Sequence, residues 1–131
     1  MLQSVSSKEI LEFRTYILDD HKTAIQLNKH ANFQRNKTNI IYSINSQRLQ
    51  GSYFLRFLQD ELEKKGFFFF LECYLNYGEI MAYLRIGIKR FVANNSNTAK
   101  NKKIKKYINS INGFCLDINE FKLLQKINIK N

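Results

Sequence analysis

Apolar residues recur along the chain in rhythms that predict different elements. Ile10, Phe13, Ile17 and Leu18 fall at the three-and-four spacing that collects side chains on one helical face, so a helix is expected over residues 7–27. The asparagine-rich, basic run "NKHANFQRNKTN" (28–39) has no such rhythm and reads as a loop, and the β-branched and aromatic "IIYSI" (40–44) reads as a strand. Leu49, Tyr53, Leu55, Leu58 and Leu62 then form a broad stripe on a second helix, 47–65. Ser46 suits its N-cap, Lys64 and Lys65 complement the carboxyl end of its dipole, and Gly66 can take the left-handed position just beyond it.

The next segments are read as a hairpin: "FFFFLECYL" (67–75) and "EIMAYLRI" (79–86) as strands, with Asn76, Tyr77 and Gly78 as the turn. The four phenylalanines are expected in the sheet core against the preceding helix, with a base-stacking platform as the alternative use. Residues 87–101 are weakly patterned and read as a loop. "KKIKKYINS" (102–110) is expected to be a further, basic strand in which Ile104 turns inward and Tyr107 and Ile108 recur where a folded segment can bury them. Asn112-Gly113 is a turn signal, "FCL" a brief strand, and Asp117 with Glu120 a variant capping box for a last helix through Leu124. The expected fold class is α+β: helix, strand, helix, hairpin and a further strand, the sheet packed on helices, and a short C-terminal helix. The expected organisation is a core domain over 1–86, an inserted basic loop over 87–101, and a basic strand, turn and helix over 102–131.

Composition adds to this picture. The 131 residues are 44% hydrophobic, enough for one real core, which excludes a disordered chain. A net charge of +10 and a pI near 9.7 attract a polyanion before any specific contact forms. Cys73 and Cys115 lie far apart without a CxxC motif, and His21 and His30 are the only histidines, so no zinc site or disulfide framework is expected and both thiols read as reduced and buried. The N-terminal residues lack the pattern of a signal peptide, and the best apolar run, "GFFFFLECYL", is too short to cross a bilayer, so no membrane partner is expected. The chain has no proline and uses Ile, Asn, Lys, Phe and Tyr heavily, residues with AT-rich codons, which fits a reduced or organellar genome.

Catalysis has little to build on. Asp60, Glu61 and Glu63 sit among Arg56, Lys64 and Lys65 and read as a solvated helix face, and Asp19-Asp20-His21 lacks a second His or carboxylate at a supporting spacing. No catalytic residue, metal ligand or cofactor is therefore expected. The basic residues carry more information. Lys29, Arg35, Lys37 and Arg48, with Ser46, surround the first strand and the start of the second helix, while Arg85, Lys89, Arg90, Lys102, Lys103, Lys105 and Lys106 lie in or beside the predicted sheet. Two basic patches on separate segments can grip a folded phosphate backbone, and Arg48, at a helix start whose amides also favour phosphate, is the strongest single choice.

In order, the chain resembles the eighth protein of the small ribosomal subunit of bacteria and organelles. The resemblance covers roughly residues 13–125. A strand leads through Asn45-Ser46-Gln47-Arg48-Leu49 where that family has a proline-serine turn before a lysine and leucine. Lys64-Lys65-Gly66-Phe67 stands on the family's "KEGF", "EIMAYLRI" on a strand like "EIEVYLKY", and "IKKYINSINGF" on the basic "IKRISKPGRR" segment, with Ser110 and Gly113 on its serine and glycine. Asn112 replaces the proline before Gly113, Phe114 and Cys115 replace the arginines after it, and the family's C-terminal RNA-gripping domain has no counterpart here. The resemblance implies a structural constituent of the small subunit, in a divergent organellar form. It would bind the central domain of the small-subunit ribosomal RNA and contact neighbouring ribosomal proteins, with a separate fragment or another neighbour supplying the missing domain. The implied location is the mitochondrion, with plastid or bacterial cytoplasm as alternatives. The rival expectations are a basic RNA-binding accessory protein of another organellar assembly and a small nuclease.

Overall fold

Six consecutive residues, Phe68–Cys73, are buried one after another, the mark of a strand covered on both faces. They form the middle of a six-stranded sheet in a computed structural model that describes residues 7–18, 37–43, 52–73, 77–93, 99–111 and 113–126. In chain order the elements are α1 (Ser7–Glu12), β1 (Arg14–Leu18), β2 (Thr38–Tyr42), α2 (Ser52–Lys64), β3 (Phe68–Cys73), α3 (Tyr77–Arg85), β4 (Arg90–Ala93), α4 (Ala99–Ser110), β5 (Phe114–Asp117), a 3-10 turn (Ile118–Glu120) and β6 (Leu123–Lys126). The strand order is β5-β4-β3-β2-β1-β6, and every pair is parallel. Tyr16 pairs with Ile40 and Ile40 with Phe69; further along the sheet, Leu71 pairs with Phe91 and Phe91 with Cys115.

From β1 to β5 each strand is followed by its immediate neighbour. Crossovers of one hand that all step in one direction deliver their helices to one face of the sheet. The packing agrees with this. Ile40, Tyr42, Phe69, Leu71, Phe91 and Cys115 share one core with Leu55, Leu58 and Leu62 of α2, Ile80 of α3, and Ile104 and Ile108 of α4. The alternate residues Ile41, Phe68, Phe70, Val92 and Leu116 form a second core with Ile10 of α1 and Phe121, where Phe70 meets Phe114 and Phe121 edge to face.

Helices α2 and α3 end in the same device. Gly66 and Gly87 have φ of 93° and 95°, the left-handed region that glycine enters without penalty. At the first, Gly66 N–H donates to Glu63 O and Phe67 N–H to Leu62 O; at the second, Gly87 N–H donates to Leu84 O and Ile88 N–H to Tyr83 O. These paired bonds satisfy last-turn carbonyls and turn the chain straight into β3 and β4.

The mixture of helices and a sheet packed on them is as expected, the strand over 40–44 is present as β2, and the helix ending at Gly66 is present as α2. Several finer expectations are corrected. The helix over 7–27 stops at Glu12, and Thr15, Tyr16 and Ile17 extend as β1, because β-branched and aromatic side chains suit an interior strand flanked by β2 and β6. Asn39, fully buried, fixes this change of direction by donating to Ile10 O (2.8 Å) and Thr15 Oγ1 (3.0 Å). There is no hairpin: "EIMAYLRI" lies in α3, since β3 is an interior strand and a parallel neighbour requires a crossover. The expected loop over 87–101 supplies β4 and the start of α4. The expected basic strand over 102–110 is the body of α4, because Asn101, Ile104 and Ile108 are buried at helical spacing. The last helix is a single 3-10 turn, held by Asp117 N–H donating to Glu120 Oε2 (2.7 Å), and β6 follows it to close the sheet against β1.

Candidate nucleic-acid interface

Helix α4 contains five lysines and no acid. Burial of Asn101, Ile104 and Ile108 fixes its rotation, so Lys100, Lys102, Lys103 and Lys106 are exposed with Tyr107. Among the described residues, none of these four lysines has a carboxylate within 4 Å. Lys105 behaves differently. Its ammonium sits 3.2 Å from Asp117 Oδ2 and 3.5 Å from Glu120 Oε2, tying α4 to β5 and the 3-10 turn. Partial burial works against its charge, but the hydrogen bond to Asp117 and the two carboxylates outweigh this and raise its pKa. The C-terminal end of α4 is anchored as well, with Cys115 N–H donating to Asn109 Oδ1 (3.0 Å) and Gly113 N–H to Ile108 O (3.0 Å).

Beside the lysines lies an aromatic pair. Tyr107 of α4 and Tyr77, the first residue of α3, stand with ring centroids 6.2 Å apart and planes at 41°, and they are 38% and 55% exposed. Lys103 is four residues before Tyr107 and Lys100 seven, so these two cations share the helical face of that ring, while Lys106, next to Tyr107 in sequence, points about 100° away from it. The expected inward turn of Ile104 is observed.

Of the other basic residues named from sequence, Lys89 and Arg90 are placed against α2. Arg90, 17% exposed, pairs with Glu63 of α2 and lies 5.5 Å over the Phe68 ring. Lys89 is exposed, 3.9 Å from the same carboxylate. Arg85 is exposed in the last turn of α3, and Lys37 is exposed just before β2. Lys29, Arg35, Ser46 and Arg48 lie outside the described residues, as do Asp19, Asp20, His21 and His30. Phe67, Phe68, Phe69 and Phe70 are all buried, which makes them core rather than a stacking platform. Among the described residues the exposed rings are elsewhere, at Tyr77 and Tyr107 and at Tyr53 and Phe57 on α2. Tyr107, expected to be buried with Ile104 and Ile108, is exposed instead, and Tyr77, expected in a hairpin turn, stands beside it; the Lys103-to-Tyr107 spacing within a helix would have placed Tyr107 with the lysines.

The carboxylates of α2 are engaged by cations. Asp60 binds Arg56 (3.0 Å), Glu61 binds Lys64 (3.1 Å), and Glu63 holds Arg90. Among the described residues no three His, Cys, Asp or Glu side chains are grouped to hold a metal ion. Cys73 and Cys115 are free and buried, and burial pushes both thiols up, Cys115 to about 12, despite the opposing charge of Lys105. No family model, curated protein or solved structure matches the chain. The functional reading therefore rests on the chemistry of α4 and its surroundings. That surface can neutralise phosphates and offer ring faces, which is the chemistry of nucleic-acid binding.

Proposed function

We propose that the protein is a non-catalytic RNA-binding constituent of a ribonucleoprotein particle. The observation that carries this reading is the α4 surface, where four exposed lysines have no carboxylate partner among the described residues and two of them, Lys100 and Lys103, share a helical face with the exposed Tyr107, which touches Tyr77. Lysine ammonium groups on a rigid helix replace counterions along a phosphate backbone, and the released counterions drive association. The particle we propose is the small ribosomal subunit, probed through its ribosomal RNA, with the mitochondrial ribosome as its setting. This more specific step rests on the sequence resemblance alone. Two stretches that the resemblance reads as strands, 79–86 and 102–110, are largely helical, so α4 rather than the order of motifs supports the RNA-binding part.

Sedimentation tests the proposal. Tagged protein in native extract should travel with small ribosomal subunits, and Lys102→Glu/Lys103→Glu/Lys106→Glu should move to the top of the gradient. Migration of the unaltered protein with a different RNA-containing assembly would overturn the ribosomal assignment and favour the accessory-protein reading. RNA cleavage by purified protein with a divalent metal would overturn the non-catalytic one.

A further inference from the structure

The tyrosine pair has a use that lysines alone do not explain. Phe67 to Phe70 bury their rings in the sheet, and Tyr83 packs against Phe91 at 6.4 Å, whereas Tyr77 and Tyr107 touch each other at the surface and leave ring area open to solvent. Each sits on a defined helix, Tyr77 at the start of α3 and Tyr107 in the last turns of α4, so their separation is fixed by two elements packed on the same sheet face. In addition, Ser110 Oγ donates to Tyr107 O at 2.6 Å, restraining the backbone at that turn. The ring planes meet at 41°, so the pair presents tilted aromatic surface instead of one closed stack.

We infer that Tyr77 and Tyr107 form a stacking subsite for unpaired bases of single-stranded RNA, with Lys100 and Lys103 of α4, on the same helical face as Tyr107, holding the adjoining phosphates. The inference deepens the RNA-binding reading and rests on it. Duplex RNA hides its base faces in its own stack and presents phosphates and 2′-hydroxyls, whereas single strands offer bases that can leave the stack and lie on aromatic rings. A surface of phosphate-binding cations alone would not tell these apart. Exposed rings set among those cations favour the single strand.

The test compares three probes of equal charge: a single-stranded oligouridylate, an abasic strand with the same phosphates, and an RNA duplex of half the length. The unaltered protein should bind the oligouridylate at least about fivefold more tightly than the abasic strand, the ratio expected for one stacked base. Tyr107→Leu and Tyr77→Leu should each reduce that ratio and leave abasic and duplex binding unchanged, while Tyr107→Phe should retain it. Because the chain has no tryptophan, quenching of tyrosine emission by the oligouridylate, lost in part in the leucine variants, provides a direct second readout. Equal affinity for the base-bearing and abasic strands would overturn the stacking subsite while leaving the lysine surface intact. Undiminished binding of all probes by Lys102→Glu/Lys103→Glu/Lys106→Glu would instead overturn α4 as the RNA-binding surface, and failure of the unaltered protein to bind any of the three would overturn the RNA-binding reading itself. Equally tight binding of polyglutamate, with no gain from bases, would point to an acidic protein partner and overturn both.

Discussion

The guanidinium of Arg56 lies against Gly87, so close that a Cβ at position 87 would fall 2.0 Å from Arg56 Nη1. The same Nη1 donates to Ile86 O at 2.6 Å, and φ at Gly87 is 95°. Gly87→Ala therefore introduces a left-handed alanine, costing about 1–2 kcal/mol, and also displaces Arg56 from the Ile86 carbonyl. We expect a loss of roughly 2 kcal/mol or more in urea unfolding, shrinking towards the backbone component alone when Gly87→Ala is made in an Arg56→Ala background. Identical losses in both backgrounds would mean that Arg56 does not brace this turn.

One helical turn further along α2, Gln59 repeats the theme in neutral form. Its Nε2 donates to Gly87 O (2.8 Å) and its Oε1 accepts from Lys89 N–H (3.1 Å), so one amide satisfies both sides of the α3–β4 connection. The side chain is 1% exposed. Gln59→Leu would keep the volume and leave a carbonyl and an N–H without these partners, at about 1–3 kcal/mol for each group that water cannot reach. We expect it to destabilise by roughly 2 kcal/mol or more on the same unmade-bond reasoning. Hydrogen exchange of the Lys89 amide should accelerate before global unfolding, and an unchanged exchange rate would contradict the assignment.

Cys73 and Cys115 lie on β3 and β5 with β4 between them, so two sheet spacings, about 9–10 Å, separate the strands. That is beyond the Cα separation a disulfide spans. Both thiols should stay reduced under air and resist an alkylating reagent in the native protein, yet react at once in denaturant. Burial favours the neutral thiol in the folded state, so the unfolded chain gives up its protons first as pH rises. Stability should be flat below the ordinary thiol value of 9.0 and fall between there and about 12, the value for Cys115. Tyr83, raised from 10.0 to about 12 chiefly by burial with Glu79 adding, steepens the upper part of that fall. A Cys73→Ala/Cys115→Ala variant should lose the first part of the decline, and an unaltered pH profile would show that the thiols do not cause it.

Local signals made part of this fold legible. Leu55, Leu58 and Leu62 declared α2, and the Lys-Lys-Gly run declared its end, because amphipathic spacing and a left-handed glycine are properties of neighbouring residues. The same end signal stands in "LRIGI", yet "EIMAYLRI" also reads as a strand, because a short segment of six apolar residues between and around two charges fits either period. What could have decided it was β3: a strand apolar on both sides needs cover on both faces and parallel neighbours, hence a helix before the next strand. In α4 the lysines obscured the Ile104-to-Ile108 spacing. The end of α1 could not be read at all, since it depends on Asn39 and on the Glu12–Lys122 ion pair, contacts that link distant parts of the chain. At the candidate surface, Lys102, Lys103 and Lys106 were legible as charge. The separation of Lys105 from them was not, because it depends on where Asp117 and Glu120 come to rest.

That separation gives the sharpest test, because Lys103 and Lys105 are two residues apart and carry the same charge. Lys105 is 25% exposed and spends its ammonium on Asp117 and Glu120, while Lys103 faces solvent without a carboxylate partner among the described residues. Lys105→Glu would place a third carboxylate beside those two and should destabilise the fold by on the order of 1 kcal/mol, more than loss of an ordinary surface pair. Lys103→Glu should leave the urea midpoint almost unchanged and weaken RNA binding, lowering the slope of log affinity against log salt by about 0.7 for one lost phosphate contact on a single strand. Lys105→Glu should leave that slope nearly intact once the protein is folded. Titration of labelled RNA at several salt concentrations, alongside urea unfolding, measures both quantities on both variants. A matching loss of slope for the two would show that α4 acts as a diffuse cloud of charge, with no oriented face towards phosphate.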